Sequence, residues 1–153
     1  MKTDSPTIPA AVQAAPAHLG WRLLAIVYDL LPVLAIWMLF GAAVLLIRGG
    51  VPIVPWTPAF WLQNAALWLV TGTYAVLSWR RGGQTLGMRP WRLRVVDSEG
   101  HAPAAAQLWQ RYALATLSLA AFGLGFLWSL VNRERRSWHD IGSSTRLVRL
   151  PRR

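Results

Sequence analysis

The 153-residue sequence has no cysteine, a single lysine (Lys2) and three histidines, His18, His101 and His139. Without cysteine there is no disulfide framework, no thiolate metal ligand and no cysteine nucleophile. The histidines are scattered without a metal-ligand spacing, and no serine has a matching histidine and carboxylate for nucleophilic catalysis. Gly123 and Gly125 lack the strand–turn–helix context of a dinucleotide loop. No catalytic residue, metal or cofactor is therefore read, and the chain is expected not to be an enzyme. Acidic residues are scarce as well: six against sixteen basic ones, for a net charge of +10. A pI near 11.7 suggests a nucleic-acid module, but the chain is only 14% charged and 54% hydrophobic, with a mean hydropathy of +0.33. That combination is wrong for a soluble basic module or a disordered chain. Ten tryptophans point instead to membrane–water interfaces, where the indole ring is favoured.

Long apolar runs agree with that direction. Residues 1–18 are small, polar and proline-bearing, and read as a flexible leader. Trp21–Ile47 is a run of 27 residues broken by charge only at Arg22 and Asp29, long enough for a first span, with Pro32 as a site of kinking. Residues 48–58, with two glycines and three prolines, form a turn. Ala59–Trp79 is 21 residues without a charge, a second span stopped at Arg80-Arg81. A basic loop, 80–106, contains the alternating segment 91–96. The third apolar stretch, 107–131, leads to a basic tail, 132–153, in which 145–150 alternates again. The expected fold is mainly α, a multi-pass membrane protein of two full transmembrane helices, a third apolar stretch and a small cytoplasmic β element, in one domain over 19–150.

Basic residues near spans stay on the cytoplasmic side. Five arginines in the loop 80–106 against one in the turn 48–58 place the loop, and hence the amino terminus, in the cytoplasm. A single crossing by 107–131 would strand the seven tail arginines outside. A break at Ala121-Phe122-Gly123-Leu124-Gly125 would make that stretch a hairpin and return the tail to the loop's side, where the two short strand segments pair. The hairpin is favoured; the single crossing stays open.

The residues also match a known pattern. Arg22, Ala25 and Asp29 on the first span come first. Gly83-Gln84-Thr85-Leu86-Gly87-Met88-Arg89 follows, running into Leu93-Arg94-Val95-Val96-Asp97 and Gly100. His139-Asp140-Ile141-Gly142 and Thr145 close the series. Together they resemble the RDD family of bacterial integral membrane proteins, named for one arginine and two aspartates. The likeness extends from about Leu19 to Leu150; Ser143-Ser144 departs from the usual small residue and glycine. It implies a multi-pass protein of the bacterial inner membrane, and a transport function has been suggested for some members.

The polar residues worth weighing are Arg22, Asp29, Asn64, Thr71, Arg111 and Asp140. Arg22 and Asp29, seven apart, share a helix face about 10 Å apart along the axis, with Arg22 at the inner end, able to snorkel to headgroups. A carboxylate at the depth of Asp29 needs a partner. Arg22, Arg111 and the second span's stripe of Asn64, Thr71 and Ser78, with Tyr74 beside it, are the choices. Asp29 then either handles an ion or proton or fixes how the spans pack, and packing is favoured. Asp140 either joins His139 or Asp29 in a metal or proton site, or caps a turn and pairs with neighbouring arginines; the second is favoured. Arg80, Arg81, Arg89, Arg133, Arg135 and Arg136 are read as contacts to anionic lipid headgroups. An acidic partner protein is the other reading of this charge. Nucleic acid, stacked on Trp91 and Trp138, is disfavoured. A homo-oligomer or a membrane-protein partner would cover irregular backbone at depth. The expected role is structural, accessory or interaction at the membrane, with an ion or solute transporter component using Asp29 as the alternative.

Overall fold

The computed structural model describes residues 15–151. Most of the leader, residues 1–14, and the last two tail residues lie outside the described residues. Eight elements follow in order: β1 (Ala15–Pro16), α1 (Leu19–Ile47), α2 (Pro58–Gly82), β2 (Leu93–Asp97), α3 (Ala105–Ala120), α4 (Leu124–Val131), α5 (Trp138–Gly142) and β3 (Thr145–Arg149).

Helix α1 runs unbroken through Pro32 for 29 residues, about 43 Å at the α-helical rise. None of its most apolar window is buried in the protein. Helix α2 starts at a matched cap: the Thr57 side chain accepts from the Phe60 N–H at 3.3 Å, and Pro58 occupies the first turn, where no donor is needed. It continues three residues beyond the expected stop, because Arg80 and Arg81 suit the negative end of the helix dipole. Gly83, at φ 72°, ends it in the left-handed conformation that glycine adopts without strain.

Among the described residues α1 alone is long and apolar enough to cross a membrane by itself. At 25 residues α2 has the length, but its Gln63, Asn64, Thr71, Thr73 and Tyr74 leave it less apolar. The third stretch is two helices: α3 and α4 meet at 97° and together pass the same test as one bent pair. The break falls on the expected glycine segment, with Phe122 and Gly123 at φ 54° and 78° and Phe122 95% exposed.

The two alternating segments pair as antiparallel strands, Leu93 opposite Arg149, Val95 opposite Leu147 and Asp97 opposite Thr145. β2 is shifted by one or two residues from its expected bounds, since Trp91 and Arg92 belong to the turn before it, with Arg92 at φ 56°, and β3 starts where expected and ends one residue sooner. The sheet has a third member that the sequence did not suggest. Ala15–Pro16, expected to be flexible leader, add to the free edge of β3 in the order β1-β3-β2. Proline is tolerated there because it sits on an edge strand. Ala17, just beyond, is buried.

The core lies where the sheet meets the sheet-side ends of α1, α2 and α3: Ala25, Val76, Trp79, Met88, Leu93, Val95, Leu108 and Leu147 are buried together, flanked by Trp21, Trp91 and Trp109. Away from this end, contact among the long helices is thinner. Trp37 Nε1 donates to Thr71 Oγ1 at 2.9 Å between α1 and α2. Tyr112 donates to the Trp68 carbonyl at 2.9 Å, and Trp68 Nε1 to Thr116 Oγ1 at 3.1 Å, between α2 and α3.

Candidate functional site

The core end holds a buried charge cluster assembled from three helices and a strand. Asp140 on α5 is fully buried, and Arg22 on α1 and Arg111 on α3 are each 3% exposed. Arg22 Nη1 meets Asp140 Oδ2 at 2.7 Å, and Arg111 Nη1 meets Oδ1 at 2.6 Å, so each carboxylate oxygen takes one guanidinium. Ser137 closes the cap of α5, its N–H and hydroxyl both donating to Oδ2, at 3.1 and 2.8 Å. Arg22 donates further to the Ser137 hydroxyl at 2.9 Å and to the carbonyls of Ala17 and Arg135, each at 3.2 Å. Arg111 donates to Thr145 Oγ1 at 2.7 Å and lies over the Trp79 ring, 5.6 Å from its centre. Of the departing pair Ser143-Ser144, Ser143 is absorbed here, its hydroxyl 2.7 Å from Thr145 Oγ1, and Ser144 takes a left-handed φ of 52°, the conformation a glycine adopts without strain.

This geometry differs from the sequence expectations in two respects. Arg22 does not snorkel to headgroups; its guanidinium is buried, because Asp140 draws it inward. Asp140 pairs with arginines from distant elements, while neighbouring Arg136 reaches only its backbone carbonyl, at 3.4 Å.

His139 shares the cluster without joining its charge. Its Nε2 lies 2.9 Å from the Ser137 hydroxyl and its ring 4.6 Å from Phe126, while Nδ1 is buried without a partner. The Ser137 proton goes to Asp140, so Nε2 carries the histidine's hydrogen and Nδ1 is the bare acceptor. Burial, with the Arg111 charge next, lowers the His139 pKa to about 3. For Asp140, burial raises the carboxyl pKa, but the charges of Arg111 and Arg22 outweigh it and hold the group well below the usual range.

Asp29 has its own clamp. Of the expected choices Tyr74, beside the stripe, is a partner, while Arg22, Arg111 and the Asn64–Thr71–Ser78 stripe itself are not. Tyr74 OH donates to Oδ1 at 3.2 Å, the Gly87 N–H to Oδ1 at 2.9 Å, and the Thr85 hydroxyl to Oδ2. Asn64 instead bonds the Phe60 carbonyl of its own helix at 2.8 Å, and Thr71 the Leu67 carbonyl at 2.8 Å. The central motif explains itself here. Gln84 Nε2 donates to the Leu93 carbonyl at 2.7 Å, tying the loop to β2. Gly87 has no room for a side chain: a Cβ would fall 2.7 Å from Asp29 Cγ and collide with the Ala25 carbonyl.

A model of the RDD family matches residues 16–143, and that span contains Arg22, Asp29, Arg111 and Asp140. The chain belongs to the RDD family. Arg22, Asp29 and Asp140, the residues that carried the resemblance, fall into two separate constellations, with Arg22 and Asp140 in one and Asp29 in the other. No curated protein and no solved structure matches the chain. Among the described residues no three histidine or carboxylate side chains converge on one point. Arg80, Arg81, Arg89, Arg133 and Arg135 are exposed and Arg136 is half-buried.

Sequence reasoning missed Ser137 and Thr145 as partners of the cluster, and Thr85 and Gly87 as partners of Asp29. The spacing Ser137-x-x-Asp140 is a capping-box signal that would have found the first.

The His139 geometry makes stability depend on pH. The folded pKa is below the unfolded one, so its contribution is complete above pH 6.5 and is lost as pH falls toward 3. The loss is roughly 1.4 kcal/mol per pH unit within that window. In thermal unfolding of the detergent-purified chain between pH 7 and 4.5, His139→Gln is expected to flatten this fall. An unchanged slope in the variant contradicts the buried neutral imidazole.

Proposed function

We propose that this RDD-family chain is a multi-pass protein of the bacterial inner membrane that serves as a scaffold or accessory subunit. Its amino terminus, sheet and basic segments face the cytoplasm. Helix α1 is the first span and α2 the second, with the Trp37–Thr71 hydrogen bond satisfying polar groups between them. The bent α3–α4 pair enters and turns back, so that β3 reaches β2 on the side of the loop.

The observation that carries the role is the state of the two acids. Every oxygen of Asp29 and Asp140 is already engaged by donors of the fold. A carboxylate held by several donors from separate elements is suited to a fixed joint, whereas one that carries an ion or proton through a transport cycle must exchange those partners. These two bind elements together, and what remains for interaction is the basic face.

Two experiments bear on this reading. Reporters fused after Arg153 and within 48–57 give the topology: a cytoplasm-active reporter works at the first site and a periplasm-active one at the second. Periplasmic activity after Arg153 contradicts the turned-back pair. For the role, chain reconstituted in vesicles is expected to show no proton- or sodium-coupled flux, and the tagged chain to co-purify with a stable partner from mild detergent. Flux that disappears in Asp29→Asn overturns the scaffold in favour of a transporter component.

A further inference from the structure

Beside the charge cluster lies an open cavity of about 330 Å³. Four arginines line it, Arg22, Arg135, Arg136 and Arg146, against Glu134 and Asp140. Two positive charges of the lining are thus uncompensated. The acids do not fill the need: Asp140 is already shared with Arg111, which stands behind it, and Glu134 meets Arg136 only at 3.4 Å. The Nε of Arg136 is buried with no hydrogen-bond partner, a guanidinium donor left unused next to the cavity. Such a donor is costly to bury alone. Arg22, at the back, is fixed by four protein acceptors and so is pre-oriented without having to be ordered by a ligand.

The geometry points to a binding site for a phosphate group in this cavity, held chiefly by the guanidinium of Arg136 and joined by Arg146, one nitrogen of which already donates to the Ser98 carbonyl, with Arg22 and Arg135 supplying the positive field. Arginine forks match the oxygens of a phosphate in pairs, and a dianionic phosphate matches the two spare charges. The phosphate belongs either to an anionic lipid headgroup or to a soluble phosphate compound. The cavity residues 134–136 follow closely on the exposed apolar end of α4, Leu130 and Val131, which places a lipid phosphate within reach. The site gives a ligand to the basic face proposed above, and rests on that reading only for the source of the phosphate, because binding to the purified chain does not depend on topology or on flux.

The test uses the full chain purified in a neutral detergent, titrated separately with inorganic phosphate and with short-chain phosphatidylglycerol, with phosphatidylcholine as the lipid control. Saturable binding of phosphatidylglycerol alone assigns a lipid source, and saturable binding of inorganic phosphate a soluble one. In either case Arg136→Gln/Arg146→Gln is expected to weaken binding by about tenfold or more, and Arg80→Gln/Arg81→Gln, in the last turn of α2 and outside the cavity lining, by less than about twofold. Thermal unfolding checks that both double variants fold. If the first does not, the exposed Arg146→Gln alone carries the same comparison, with an expected loss of about threefold or more. No saturable binding of either probe, equal loss in the two variants, or a smaller loss in the cavity variant overturns the site.

Discussion

The carboxylate of Asp140 is the point on which the sheet end of the molecule depends. It lies on a five-residue helix too short to persist by itself, and it meets Arg22 from near the amino terminus and Arg111 from the third apolar stretch. Through Thr145 the same cluster reaches β3, and through the carbonyls of Ala17 and Arg135 it reaches the segments that flank β1 and α5. A buried ion pair is not in itself a source of great stability, because desolvation costs about what the attraction returns. Removing one partner is another matter, since it leaves a charge buried with nothing opposite it. The cluster thus selects one arrangement of four elements, α1, α3, α5 and β3, and penalises others.

Asp29 plays the same part at a second joint. The loop after α2 is bound to α1 by the Asp29 carboxylate and closed down on it at Gly87, where backbone meets backbone without a side chain between. These two joints surround the buried core, and beyond them the long helices present apolar surface outward. Leu31, Met38, Leu46 and Ile47 of α1 are all mostly exposed. In water such a surface would drive aggregation; in a bilayer it needs no partner. Polar side chains concentrated at one end and unpartnered apolar surface at the other give the +10 charge a place of its own.

Much of this was legible in the sequence. The first long helix, the turn with its glycines, the glycine break at residues 121–125 and the two alternating strand segments all follow from length, periodicity and backbone preference, which act locally. The resemblance to the RDD family also rested on local motifs. What could not be read was which distant residues meet. Arg22 near the end of a span looks like a snorkelling residue until Asp140 is known to lie beneath it, and no rule of spacing connects the two. Asp29 likewise has several polar neighbours in sequence, and the choice of Tyr74, Thr85 and Gly87 depends on how the loop folds back. The edge strand at Ala15–Pro16 was invisible because two residues of alanine and proline have no strand preference; the free edge of β3 recruits them.

The stability of charge substitutions at the Asp140 cluster tests its role most directly. In chemical unfolding of the detergent-purified chain, Asp140→Leu leaves two buried guanidinia without a counter-ion and is expected to cost about 3–5 kcal/mol. The triple variant Arg22→Met/Arg111→Met/Asp140→Leu removes all the charge and is expected to lose less than Asp140→Leu alone. A loss below about 1 kcal/mol for Asp140→Leu, the size of an exposed pair, or a triple variant at least as destabilised as the single one, would contradict it.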